Sequence, residues 1–339
     1  HFDLGQQYLA NFQYSGAITE FKSALRINYM DNSARIGLVN SYLARGTYYA
    51  NTDKNYKKAA DDYRSALFYL LYYPEEKAVK NSSQAIVQVT ANLNKCLSAI
   101  HFDKSAQNRF ETAKALRADG DFAAAGYEFN QAIGDTEYIK ESFQQVGDIM
   151  RLIGNNPKAA EYYKKAVNVA PTDISLRLAY AKALDNIGKE SEAVDEYNFI
   201  LTQTEDDNKD VLYTLERIYK KKLENTPNDA SLTANLGAIL QKQGKLDEAL
   251  RYYSKAEYLD PANINTRINV GTLYQQKGDY KTAIVAYDSV LTLYPDNVQA
   301  NLYKAQSQEA LGDNKAAMET YKKVLAKDPD NEVANANFM

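Results

Sequence analysis

Eight segments of this chain carry an alanine, an aromatic ring four residues later, and a small or β-branched residue three beyond that. They are Ala17/Phe21/Ala24, Ala59/Tyr63/Ala66, Ala125/Phe129/Ala132, Ala159/Tyr163/Ala166, Ala193/Tyr197/Ile200, Ala249/Tyr253/Ala256, Ala283/Tyr287/Val290 and Ala317/Tyr321/Val324. Four of the steps between leading alanines, 125 to 159, 159 to 193, 249 to 283 and 283 to 317, are 34 residues long. The chain therefore repeats one supersecondary unit, and that fixes its architecture.

Spacings of four and three place each triplet on one face of a helix, because an α-helix turns once in about 3.6 residues. A helix ahead of it shows in Leu236/Gly237/Leu240, Val270/Gly271/Tyr274 and Val146/Gly147/Met150, so each unit is a helical hairpin. Between the two helices stands Gly46, Gly120, Gly154, Gly188, Gly244, Gly278 or Gly312, where a residue without a side chain closes the first helix in the left-handed conformation. Asp121, Asp279 and Asp313 follow as N-caps. Pro171, Pro261, Pro295 and Pro329 mark where second helices stop. Small residues let the two backbones approach, the ring fills the adjoining groove, and stacked hairpins bury what one hairpin leaves exposed.

Leu236-Gly237, Leu240, Gly244, Ala249, Tyr253, Ala256 and Pro261 resemble the tetratricopeptide (TPR) repeat, as do Val270-Gly271, Tyr274, Ala283, Tyr287, Val290 and Pro295. The resemblance implies an all-α solenoid of about eight repeats winding as a right-handed superhelix. The register gives repeats 1–31, 32–74, 106–139, 140–173, 174–207, 230–263, 264–297 and 298–331. This groups the chain into an N-terminal pair (1–74), an irregular helix or degenerate repeat (75–105), three repeats (106–207), an extra helix (208–229), three further repeats (230–331) and the start of another helix (332–339).

Three departures interrupt the period. Thr47 to Lys54 reads as a polar, tyrosine-bearing surface loop. Glu75 to Ser105 holds no glycine and carries the helical stripe Ile86, Val89, Leu93, Leu97 and Ile100. Asp206 to Asp229 leaves room for one helix through Val211, Leu215, Ile218 and Leu223. His1 starts inside a repeat and Glu332 to Met339 opens another, so the natural protein is expected to extend further.

Chemistry is sparse. The single cysteine, Cys96, excludes an intramolecular disulfide and a cysteine-based zinc site, and its neighbours Leu93 and Leu97 predict a buried thiol. Of two histidines, His101 has no nucleophile or carboxylate placed by the helix to work with it. There is no phosphate-binding glycine loop and no histidine metal spacing, so no catalytic residue, cofactor or metal is expected in this segment. A net charge of −4 with interspersed signs offers no stripe for nucleic acid, and no apolar run reaches the roughly 20 residues that span a bilayer. A cytoplasmic protein fits this composition, and a periplasmic or secreted form after leader removal would look the same.

Function is then expected at a surface. Most of the 28 tyrosines sit at periodic core positions, but Tyr48, Tyr49, Tyr69, Tyr72 and Tyr73 do not, and they form a candidate partner surface. The family resemblance implies that first helices line a concave face through the second, fifth, sixth, ninth and twelfth residues of each repeat. In the middle repeats these include Phe110, Lys114, Arg117, Gln144, Arg151 and Lys182, a mildly basic groove with one aromatic, suited to an acidic or C-terminal peptide. In the later repeats they include Asn235, Gln241, Asn269, Gln275, Tyr303 and Gln306, an amide row that could bond an extended backbone. Asn235 and Asn269 resemble the asparagine ladder of O-GlcNAc transferases, interrupted at Tyr303 and Ala179. The expected function is a non-catalytic protein-interaction scaffold binding a protein or peptide on the concave face. The alternatives are a substrate-recruiting or regulatory region of a larger enzyme such as a glycosyltransferase, and self-association through open repeat ends.

Overall fold

The computed structural model describes residues 1–73, 83–204 and 208–338; among them lie nineteen α-helices and no strand. The chain divides into two compact units, His1–Ile200 and Leu201–Met339. The fold is an all-α helical-repeat solenoid, as the 34-residue period predicts. Every member of the eight triplets is buried, with the rings of Phe21, Phe129 and Tyr287 at zero exposure. Burying one such side chain is worth roughly 1.5–3 kcal/mol, so the triplets carry much of the packing energy.

In the first unit α1 (Phe2–Ala10) pairs with α2 (Tyr14–Ile27), α3 (Asn32–Asn51) with α4 (Tyr56–Leu71), α6 (Ala106–Ala118) with α7 (Phe122–Ala132), and α8 (Ile139–Leu152) with α9 (Asn156–Val169). α10 (Ile174–Asn186) meets α11 (Glu190–Gln203) through Arg177, which donates to Glu196 and lies 3.7 Å from the Phe199 ring centre. α5 (Ser83–Ala99) packs on α4 through Val89, Leu93, Cys96 and Leu97, and Cys96 is buried. Residues 75–82, the opening of the stretch read as one long helix, lie outside the described residues.

Two local expectations fail here. Thr47 to Asn51 is not loop but the last turns of α3, and the chain leaves the helix only at Thr52. Gly46, expected to close that helix, stands buried inside it, where a Cβ would lie 3.0 Å from the Tyr63 ring. Its missing side chain serves close packing, not a turn. The other six inter-helix glycines do take the left-handed conformation, with φ from +76 to +88.

The larger departure is α4. Eleven of its sixteen residues are buried, because α3, α5 and α7 all pack against it, α7 on a side that a regular repeat leaves free. At the crossing, a Cβ on Gly126 would lie 2.4 Å from the Phe68 ring. Asn155, capping α9, also donates to the Tyr73 carbonyl at 3.2 Å, joining residues 82 apart in the chain.

The second unit is regular. α12 (Lys209–Asn225) packs through Val211, Leu212, Leu215 and Ile218 on α13 (Ala230–Lys242). Three hairpins follow: α13 with α14 (Leu246–Leu259), α15 (Ile264–Gln276) with α16 (Tyr280–Leu293), and α17 (Val298–Ala310) with α18 (Asn314–Lys327). α19 (Glu332–Phe338) rests on α18. Asp279 and Asp313 cap α16 and α18, accepting from the amides of Thr282 and Ala316 at 3.1 Å each.

Candidate interaction surfaces and a buried charge cluster

On α6, Lys114 and Arg117 are three residues apart and share a face; on α8, Glu141 and Gln145 are four apart and also share one. The two faces meet across a groove of about 430 Å³ floored by Ala118, Phe122 and Leu152. Arg117 donates to the Gln145 side-chain oxygen across it. Asp148, one turn on, lies 3.8 Å from Arg117 and 4.0 Å from Arg151, and accepts a 2.7 Å bond from the Tyr163 hydroxyl. Lys114 is half exposed and pairs at 3.3 Å with Glu111. The basic residues of this groove are thus largely matched by carboxylates, which tempers the positive field read from the sequence. Gln144 is half-buried on α8, and Lys182 is exposed on α10 and does not line the groove.

Phe110 is a correction. It is only 4% exposed, with its ring 5.4 Å from Phe129 and 5.0 Å from Tyr138, so it belongs to the core of its hairpin and offers nothing to a partner. Tyr69 and Tyr73 are likewise interior, 2% and 3% exposed, and Tyr72 accepts from Gln131. Of that proposed aromatic surface, Tyr48 is exposed and Tyr49 half-buried, their rings 6.0 Å apart.

In the second unit the amide row is engaged in the fold. Gln241 accepts from the Tyr253 hydroxyl at 2.9 Å and donates to Thr272 at 3.3 Å. Gln275 accepts from Tyr287 at 2.7 Å and donates to the Tyr303 carbonyl and the Ser307 hydroxyl at 2.9 and 2.8 Å. Each glutamine therefore satisfies a core tyrosine and ties its first helix to the next, leaving little for a peptide backbone. Asn235 is exposed, while Asn269, Tyr303 and Gln306 are half-buried.

Sequence reasoning missed a charge cluster at the α4–α7 crossing. Glu128, fully buried on α7, accepts from Arg64 Nε at 2.6 Å and from Arg109 at 2.7 Å, and Arg64 also donates to Asp61 at 2.7 Å. The Phe102 ring lies 4.9 Å from the Arg64 guanidinium and 5.9 Å from that of Arg109. Arg45 holds Asp62 with two bonds of 3.0 and 2.7 Å. Burial pushes the Asp61 carboxyl up to about 6 despite Arg64 beside it, and the charge of Asp121 adds to the rise. Asp121, expected to cap α7, makes no cap bond and accepts from Ser65 instead. A signal existed in the unbroken apolar run Ala66 to Tyr73, which marks a helix buried on more than one side. The partners of its charges were not visible.

Residues 228–296 and 273–336 match family models described as tetratricopeptide repeat. Residues 228–336 of this chain are thus tetratricopeptide repeats. Among solved structures it is similar to the TPR domain of P58(IPK), at 15% identity over 99% of this chain and 94% of that one, with a TM-score of 0.32. A tetratricopeptide repeat protein from Parabacteroides merdae is 17% identical over 70% and 98% of the two chains, with a TM-score of 0.35. MamA is 20% identical over 58% and 93%, with a TM-score of 0.30. No curated protein matches this chain. TPR repeats act in general as scaffolds for protein–protein contact and are typically non-catalytic. Among the described residues, no three His, Cys, Asp or Glu side chains are grouped to hold a metal ion, and no helix is long and apolar enough to cross a membrane.

Proposed function

We propose that this TPR protein is a non-catalytic scaffold that holds an extended segment of a protein partner in the groove between α6 and α8. The supporting observation is the groove itself, whose lips are charged and polar and whose floor includes Leu152 at 40% exposure. An apolar partner residue would settle on Leu152 and Phe122, and an acidic one would replace Glu111 at Lys114 or compete with Asp148 for Arg117. Such exchange of one ion pair for another sets orientation and partner choice more than raw affinity.

The test is a pull-down, cross-linking to locate the contacted helices, and a Lys114→Glu/Arg117→Glu/Arg151→Glu variant. The variant keeps its helicity and binds the partner at least about tenfold more weakly, a loss of about 1.4 kcal/mol. Unchanged binding, with cross-links away from α6 and α8, contradicts the proposal.

A further inference from the structure

Beside that groove the first unit contains a more enclosed cavity of about 190 Å³, walled by four helices that are not consecutive in the chain. α2 supplies Lys22, Leu25 and Arg26, spaced three and four residues apart on one face; α4 supplies Tyr69 and Tyr73; the start of α7 supplies Ala123; and the end of α8 closes it. An engineered apolar cavity of about 150 Å³ accepts benzene, so this volume suits one aromatic ring or a short alkyl chain.

Three observations give that ligand a charge. Lys22 and Arg26 form no ion pair at contact distance among the described residues: Lys22 lies 5.6 Å from the Tyr42 ring, and the carboxylates of Asp121 and Asp62 act on it only from further away, Asp62 being held by Arg45. Lys22 is half-buried and Arg26 exposed, so one cation reaches inward and the other stands at the rim. Tyr73 is 3% exposed, and its hydroxyl finds no hydrogen-bond partner among the described residues. Burial raises the Tyr73 hydroxyl well above the usual tyrosine range, which keeps it a donor, and burial lowers Lys22, a strain that a bound anion would relieve.

We propose that this cavity binds a small apolar carboxylate, an aryl or short-chain alkyl acid, with its body against Leu25, Tyr69 and Ala123 and its carboxylate held by Lys22 and Arg26, Tyr73 donating a hydrogen bond. The site is independent of partner capture in the α6–α8 groove. The two spaces share Phe122 and Leu152, which are therefore left unchanged in the test.

The probe is 4-fluorobenzoate, titrated into the full chain and followed by fluorine NMR, with 4-fluorobenzyl alcohol as its uncharged counterpart. The acid binds saturably with a Kd on the order of 1 mM or tighter, and the alcohol at least about tenfold more weakly. Lys22→Met weakens the acid about tenfold and Tyr73→Phe about threefold, with melting temperature checked for each. Should Lys22→Met fail to fold, Arg26→Gln at the exposed rim gives the same reading. Lys114→Glu leaves the Kd unchanged, which separates this site from the groove. No saturable binding, equal binding of acid and alcohol, indifference to both cation substitutions, or loss on Lys114→Glu overturns the proposal. Displacement by N-acetyl-glycyl-phenylalanine at lower concentration than by free acids overturns the assignment to a small acid.

Discussion

The two units obey different packing rules although they are built from the same hairpin. In Leu201–Met339 each helix touches its chain neighbours, and the side-chain bonds between repeats, such as Gln241 to Thr272 and Gln275 to Ser307, span about one period. In His1–Ile200 the chain also folds across itself: α4 packs on α7, Arg64 reaches Glu128, and Asn155 reaches the Tyr73 carbonyl. Nearest-neighbour packing gives stability that sums repeat by repeat, whereas the crossing ties distant segments into one body. The crossing also buries charge, and a buried ion cluster is less a source of stability than a strict condition on how the segments meet.

The largest expected contrast comes from Glu128→Ala. It leaves Arg64 and Arg109 buried without their shared carboxylate and should cost about 3–5 kcal/mol. Glu309→Ala removes only a tyrosine's partner at an exposed site and should cost about 1 kcal/mol. Denaturant melts of the two variants check the difference; equal losses would break the comparison.

Acidity should separate the units next. The folded pKa of Asp61 is raised from 3.8 to about 6, so its contribution is complete below about 3.8 and is lost as pH rises through 6. That weakens the first unit by up to about 3 kcal/mol across this window. For Glu216, burial pushes the carboxyl up, but hydrogen bonds from Lys220 and Lys245 outweigh it and bring it to about 2. Its contribution is present above 4.5 and lost as pH falls toward 2. Stability measured against pH should fall in opposite directions in the two units, with Asp61→Asn flattening the first slope and Glu216→Gln the second.

A smaller effect sharpens the nearest-neighbour side. A Cβ on Gly271 would lie 2.3 Å from the Tyr287 ring, so Gly271→Ala should cost about 1–3 kcal/mol by overpacking. Thermal melts read it, and a neutral outcome would mean the hairpin yields at its closest approach.

The sequence makes the hairpin legible because its contacts lie at fixed short spacings. Ala283, Tyr287 and Val290 announce a buried face, and Gly278 and Pro295 announce where its helices stop. The same logic misplaced Phe110, since the ring that covers it, Tyr138, sits in the irregular turn before α8 where no period applies. It took Gly46 for a turn because periodicity cannot tell a glycine that ends a helix from one that lets a ring approach. It read Gln241 and Gln275 as a peptide-binding row because a side-chain amide looks the same whether it meets a ligand or a tyrosine hydroxyl. Glu128 stayed hidden because its partner Arg64 is 64 residues away, a distance set by how α7 docks on α4 and by no local pattern.

Native-state hydrogen exchange, resolved to individual helices, tests this contrast most directly. In the second unit protection should fall off helix by helix toward α19, as a stack opening from its end. In the first, α2, α4, α7 and α9 should share one high protection level and open together. A graded loss of protection through α4 and α7, like that in the second unit, would contradict the account.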